Sequence, residues 1–334
     1  MRPPLPQSVA STMLSSDSRL ARLIAAAKTH RKTLRLVGSG IGLLLLIGAC
    51  LLILRERETL HAAHDALRAP NLGLFGMLIG AIIGNFLLSG LMFSVLIRPF
   101  GRVGLIEMQA VVAAASLINF LPLRPGLFGR IAYHSVVNRI PVRDATRVMI
   151  EGVVMTMIAA LLMAIMVGLS RLAGTPTWIL AVIPAFVLAA LIAVDPARRR
   201  LLLALLLRYV DLALWAVRYL AAFALLGREL GLNAAFALAT ISVLATMVPF
   251  FSNGLGLREW AVGLVAPLIT SYQLELALTA EIINRAVEIV LVLVLGLTAL
   301  GWLTWWKAAR PHSRPTSPDE GSPREEEINQ TAED

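Results

Sequence analysis

The sequence predicts an all-α polytopic membrane protein: about six spanning helices plus two re-entrant helical hairpins, arranged as two inverted-topology halves. Composition gives the class, since hydrophobic residues make up 57% of the 334 and charged residues only 15%, with a mean hydropathy of +0.76. Two similar interruptions of the apolar runs give the architecture. Leu121-Pro-Leu-Arg-Pro-Gly-Leu-Phe-Gly-Arg130 and Val248-Pro-Phe-Phe-Ser-Asn-Gly-Leu-Gly-Leu-Arg258-Glu259 both break an apolar stretch with Pro and Gly and both set an Arg four residues after a Gly. Free backbone N–H and C=O groups are too costly in lipid unless they are buried in protein or line a cavity, so paired breaks mark a substrate path.

In chain order, residues 1–35 form a cytoplasmic basic segment. Within it Ser18 to Arg35 reads as an amphipathic helix lying on anionic lipid, or equally as a plain positive-inside anchor. It is not a cleavable signal peptide, because the first long apolar run begins only after it. The six spans are Leu36 to Leu54, Leu72 to Ile97, Val148 to Leu169, Trp178 to Val194, Tyr209 to Gly227 and Ala286 to Trp306, each near the roughly 20 residues that cross a bilayer. Residues 307–334, rich in Pro, Ser and Glu, read as a disordered cytoplasmic tail.

Loop charges set the orientation. The basic N-terminus, the stretch with Arg124, Arg130, Arg139, Arg143 and Arg147, and the run Arg198-Arg199-Arg200 all favour the cytoplasmic side. All three can lie inside only if Glu107 to Leu121 enters from the cytoplasm and returns through Gly126 to Ile140. A stretch of about 15 residues is roughly 22 Å of helix, too short to cross comfortably. Crossing once from Arg200 leaves Arg228 to Asn233 outside, so Ala234 to Phe250 and Leu257 to Thr270 form a second hairpin entering from the outside. The last span returns the chain to the cytoplasm, where Lys307 and Arg310 agree. The transmembrane domain is thus 36–306, with halves at about 72–170 and 209–306. Inverted repeats with broken helices are the sequence sign of a transporter whose site lies near the bilayer midplane.

The order Asn119-Phe-Leu-Pro122-Leu-Arg124-Pro-Gly126-Leu-Phe-Gly-Arg130, then Arg147-Val-Met-Ile-Glu151, then Gly254-Leu-Gly256-Leu-Arg258-Glu259 with Asn284-Arg285 resembles the transmembrane flippase region of the lysylphosphatidylglycerol synthase family. The likeness spans roughly residues 35 to 306. Leu127 departs from it, standing where the family usually has an acidic residue after the Gly. Bifunctional members carry a soluble aminoacyl-transferase domain after the membrane region, and here only the short tail follows. The resemblance therefore implies a protein that moves lipid and does not aminoacylate it, in a bacterial inner membrane; the loop charges put both termini in the cytoplasm. It favours phosphatidylglycerol or its aminoacylated form as cargo, with a polyprenyl-phosphate-linked sugar next. It leaves a second copy of the chain and a separate lipid-modifying enzyme open as protein partners.

Charged residues inside membrane helices cost about 2.5 to 3.5 kcal/mol each on insertion scales, so each faces a partner or water. Arg147 and Glu151 share a helix face, as do Glu281, Arg285 and Glu288, and Asp211 with Arg218 on another helix. These are ion pairs holding helices in register, or guanidinium groups that receive a lipid phosphate while the glutamates balance them or meet a headgroup amine. Arg130 and Arg258 are the sharper phosphate candidates, since both sit just beyond a break; snorkelling to the interface is their alternative. Pro122, Pro125, Gly126, Gly254 and Gly256 make either simple loops or a close backbone approach to the headgroup.

Other chemistries find less support. The net charge of +9 lies beside apolar spans, which argues against nucleic acid. Cys50 is the only cysteine, so no internal disulfide can form. His61-Ala-Ala-His64-Asp65 lacks a third metal ligand nearby, and Asn253-Gly-Leu-Gly follows no strand, which argues against a nucleotide loop. His134 near Arg130 reads as a structural donor. A lipid-headgroup transferase using Glu259 or Asp211 as base, and a structural membrane subunit, remain the competing classes. No cofactor is expected.

Overall fold

Asn71 opens a helix of the computed structural model by accepting the backbone N–H groups of Gly73 and Leu74 on its Oδ1, at 3.0 and 3.2 Å. The structure describes residues 71–121, 125–248 and 252–309, together with Leu44, Ile47, Gly48 and Leu51. The expected N-terminal segment, most of the first span, Pro122, Arg124 and the tail lie outside the described residues.

Nine α-helices and one short 3₁₀ turn make up the described chain, and no strand occurs among these residues. They are α1 (Leu72–Ile97), α2 (Leu105–Ile118), α3 (Pro125–Val136), α4 (Val142–Ala173), α5 (Thr177–Val194), α6 (Arg199–Leu225), α7 (Leu232–Met247), α8 (Leu257–Ile269) and α9 (Leu274–Ala309), with the turn at Ser252–Gly254 before α8. Among the described residues four helical segments are long and apolar enough to cross a membrane: Leu72–Ile97, Val142–Ala173, Thr177–Val194 and Leu274–Trp305. Their outer sides are apolar, as Leu161, Phe186 and Val294 illustrate at 62%, 71% and 55% exposure. Such a surface suits lipid, where an apolar outer face has no cost.

Three helices run past the expected limits. The polar ends the sequence assigns to loops are helical: α4 begins at Val142 behind Pro141 with Asp144 in its first turn, and ends at Gly174 in the left-handed conformation. The helix α6 takes in Arg199, Arg200 and Arg208 ahead of the expected Tyr209, and its charges keep it out of the apolar set. In α9, Glu281, Asn284 and Arg285 fall inside a helix of 36 residues, upstream of the expected start at Ala286.

The two broken segments each form an antiparallel helix pair. At the break of the first, a Cβ on Gly126 would meet the Ala115 carbonyl oxygen at 2.0 Å; at its open end Tyr133 Oη and Asn138 Nδ2 both donate to Glu107 Oε1 at 2.9 Å. That open end adjoins the start of α4, where the Asn138 segment leads into Ile140 and Pro141. The open end of the α7–α8 pair adjoins the other end of α4: Asn233 Nδ2 reaches Ser170 Oγ at 3.5 Å and Arg171 Nη2 donates to the Ile269 carbonyl at 3.3 Å. The helix between these ends has 32 residues, about 48 Å. The breaks themselves come together, because the Arg285 guanidinium lies 5.0 Å from the Phe120 ring centroid and donates to the Asn253 carbonyl at 3.0 Å. The helix α6 packs against α1, α4, α5, α7 and α9 and fills the centre.

Candidate functional site

Spacing along α6 puts Arg208, Asp211, Trp215 and Arg218 on one stripe, at i, i+3, i+7 and i+10. Spacing along α9 does the same for Glu281, Asn284, Arg285 and Glu288. The first turn of α8 adds Arg258 and Glu259 directly after the second break, and α1 adds Asn85 and Ser89. These four elements bring charges into the interior that would be prohibitive singly and are arranged as partners.

The network has two ends. At one, the Asp211 carboxylate accepts Arg208 Nη1 and Asn85 Nδ2, both at 2.8 Å, while Arg208 Nε donates to Thr156 Oγ1 at 2.8 Å. At the other, Glu288 Oε2 accepts Arg218 Nη2 at 2.6 Å and Arg258 Nη1 at 2.8 Å. Glu281 receives Arg258 Nε, Tyr219 Oη at 2.6 Å and Asn284 Nδ2 at 3.2 Å. Asn284 Oδ1 in turn accepts Arg218 Nε at 2.9 Å. Arg218 also lies over the Trp215 ring, its Cζ 3.8 Å from the centroid, a contact suited to a guanidinium. Asn85 joins the two ends, with its Nδ2 on Asp211 and its Oδ1 3.4 Å from Arg218 Nη1.

A cavity of about 200 Å³ opens between these groups. Asn85, Ser89, Arg208, Asp211, Arg218 and Glu288 line it from the network, and Asn119 and Asn253 line it from the two breaks. Beside it, between α1, α2 and α9, runs an apolar groove of about 440 Å³ whose wall includes Ile83, Leu87, Ala110, Leu295 and Trp302. Phe86 borders both. A polar chamber with an apolar slot at its side can hold the two chemically different ends of an amphiphile.

The expected site residues divide into groups. Asn119, Asn253, Arg285 and Glu288 meet at or beside the cavity, and Glu259, Asn284 and Arg258 lie in the network behind it. Arg258 is without exposure, its Nε and Nη1 taken by Glu281 and Glu288, so the helix-register reading describes its contacts better than phosphate capture. Arg130 stands apart from the ion pairs among the described residues, its guanidinium 4.3 Å above the Phe93 ring. Arg147 and Glu151 form a separate cluster nearer the surface, where Glu151 Oε1 also accepts Arg200 Nη2 at 2.9 Å. Gly126 serves helix contact with Ala115, while Gly254 and Gly256 supply the positive φ angles of the second break, 72° and 78°. His134 shares a hydrogen bond with Asn138 at 3.0 Å, in keeping with a structural role. No group of three metal-ligating side chains occurs among the described residues.

The sequence reading missed Arg208, Asn85 and Ser89. The available signal was Arg208 three residues before Asp211, and two polar residues four apart within the apolar run of α1. Comparison with protein-family models, with characterised proteins and with solved structures finds no match to this chain.

Proposed function

We propose that this protein carries a phospholipid, phosphatidylglycerol or an aminoacylated derivative by the resemblance noted above, from one leaflet of a bacterial inner membrane to the other. The headgroup passes through the polar cavity between the two breaks, and an acyl chain follows in the groove beyond Phe86. The observation that carries this reading is the cavity itself: a polar chamber between apolar helices, touched by two breaks whose helix pairs open at opposite ends of α4. In this reading the pairs are re-entrant hairpins, the chain crosses six times, and both termini are cytoplasmic. Arg208 faces the cavity with its Nη2 uncommitted and receives the phosphate, while Arg218, held by Glu288, Asn284 and Asn85, lines the wall beside it. Ser89 offers a further hydrogen bond through its hydroxyl.

Purified protein in liposomes tests it, with fluorescent phosphatidylglycerol followed by quenching of the outer leaflet. The wild type speeds transbilayer movement over protein-free vesicles. Arg208→Gln slows it at least about tenfold, the effect of one charge-assisted hydrogen bond of about 1.5–3 kcal/mol. A chemically altered headgroup instead of a moved lipid favours a transferase, and neither effect a structural subunit.

A further inference from the structure

Glu259 and Arg285 meet where the two breaks come together, and neither is satisfied there. Glu259 is without exposure, and neither of its carboxylate oxygens has a hydrogen-bond partner. Its contact with Arg285 is loose, Nε to Oε1 at 3.7 Å. Arg285 Nε and Nη1 likewise lack hydrogen bonds, Nη1 standing 3.8 Å from Glu288 Oε1, and Nη2 alone makes one, to the Asn253 carbonyl. The other two glutamates of this cluster differ. Glu281 holds Arg258, Tyr219 and Asn284, and Glu288 holds Arg218 and Arg258. A proton placed on Glu259 breaks no hydrogen bond, whereas one placed on either neighbour breaks several.

Charge gives this a direction. Around Glu259 stand Arg258 on its own helix, Glu281, Arg285 and Glu288 on α9, and Arg218 and Tyr219 on α6; α7 carries no ionisable side chain. The three arginines and three glutamates cancel when all are charged. A proton on Glu259 leaves one positive charge in excess, and the cation it releases is Arg285. That guanidinium touches the residues of both breaks, Phe120 and Asn253, and Asn253 lines the cavity. An uncompensated buried cation is costly, and an incoming anion removes the cost. Proton and anion therefore assist one another's binding, and by linkage the assistance is mutual.

We infer that Glu259 is a proton-binding site that couples uptake of one proton to entry of an anionic phosphate headgroup, making the protein a lipid–proton symporter. The inference rests on the lipid-translocation reading. The same liposomes, loaded with a trapped pH indicator, test it. Wild type moving phosphatidylglycerol inward acidifies the lumen with about one proton per lipid. Glu259→Gln, which mimics the protonated form, still moves lipid, but its proton flux falls to the protein-free background; Glu259→Asp keeps both. Lipid movement by the wild type without proton flux overturns the coupling and leaves translocation standing, and so does a Glu259→Gln flux equal to wild type. A wild type that moves no lipid removes both. The wild-type measurement decides alone if Glu259→Gln does not fold.

Discussion

Arg258 and Glu281 both have side chains without any exposure, whereas Arg147, paired with Glu151, is 64% exposed. Low dielectric strengthens the first pair but also makes either member alone very costly. Glu281→Gln removes the charge that faces Arg258 and weakens the bonds from Tyr219 and Asn284. We expect a loss of about 3 kcal/mol, seen as a lowered thermal midpoint in detergent. Replacing both, Arg258→Met with Glu281→Leu, costs less than Glu281→Gln alone, because the two charges leave together and Glu288 keeps Arg218 as its partner. Arg147→Ala changes stability by no more than about 0.5 kcal/mol. Equal losses for Glu281→Gln and Arg147→Ala would show that the interior network does not carry stability in this way.

The helix pairs depend on close backbone approach. At Gly126 an added Cβ would lie 2.0 Å from the Ala115 carbonyl oxygen and 2.7 Å from Asn119 Oδ1, and a backbone oxygen cannot swing aside as a side chain can. Gly126→Leu therefore separates α2 from α3 at the cavity's rim, and under the proposed translocation function lipid movement in liposomes falls to background; Gly129→Leu, with open space around it, leaves that movement near wild type. These elements also show what can be read from a sequence. The limits of α1 are legible to the residue, since Asn71 caps an uninterrupted apolar run. Both helix pairs are legible from Pro and Gly. The starts of α4, α6 and α9 are not, because helix propensity is high for Arg and Glu and nothing local separates a charged helical end from a charged loop. The cluster on α9 is legible from its i, i+3, i+4, i+7 spacing, but its partners lie on α6 and α8. Pairings such as Arg218 with Glu288, 70 residues apart, arise only when the helices pack, so no local spacing announces them.

Across the whole molecule, the two open ends lie at opposite ends of α4 and the two breaks meet at Arg285. On the proposed topology each side of the bilayer has its own broken element while the cavity stays between them. Alternating exposure then needs only a small movement of one pair against the bundle, with charges already matched along the way. This arrangement makes a demand on topology. Arg139, in the link that follows α3, and Ser271, in the link that follows α8, are both exposed and belong to the two opposite open ends. With Cys50→Ala to remove the only native thiol, single cysteines at these positions should react with a membrane-impermeant maleimide from opposite sides of sealed, oriented vesicles. Arg139→Cys should label from the cytoplasmic face and Ser271→Cys from the other. Labelling of both from one face would mean that an even number of crossings separates them, as when α6, which carries Arg208, Asp211 and Arg218, does not span the bilayer. The two breaks would then no longer open toward different leaflets, and the path through Arg208 and Arg218 would lose its second entrance.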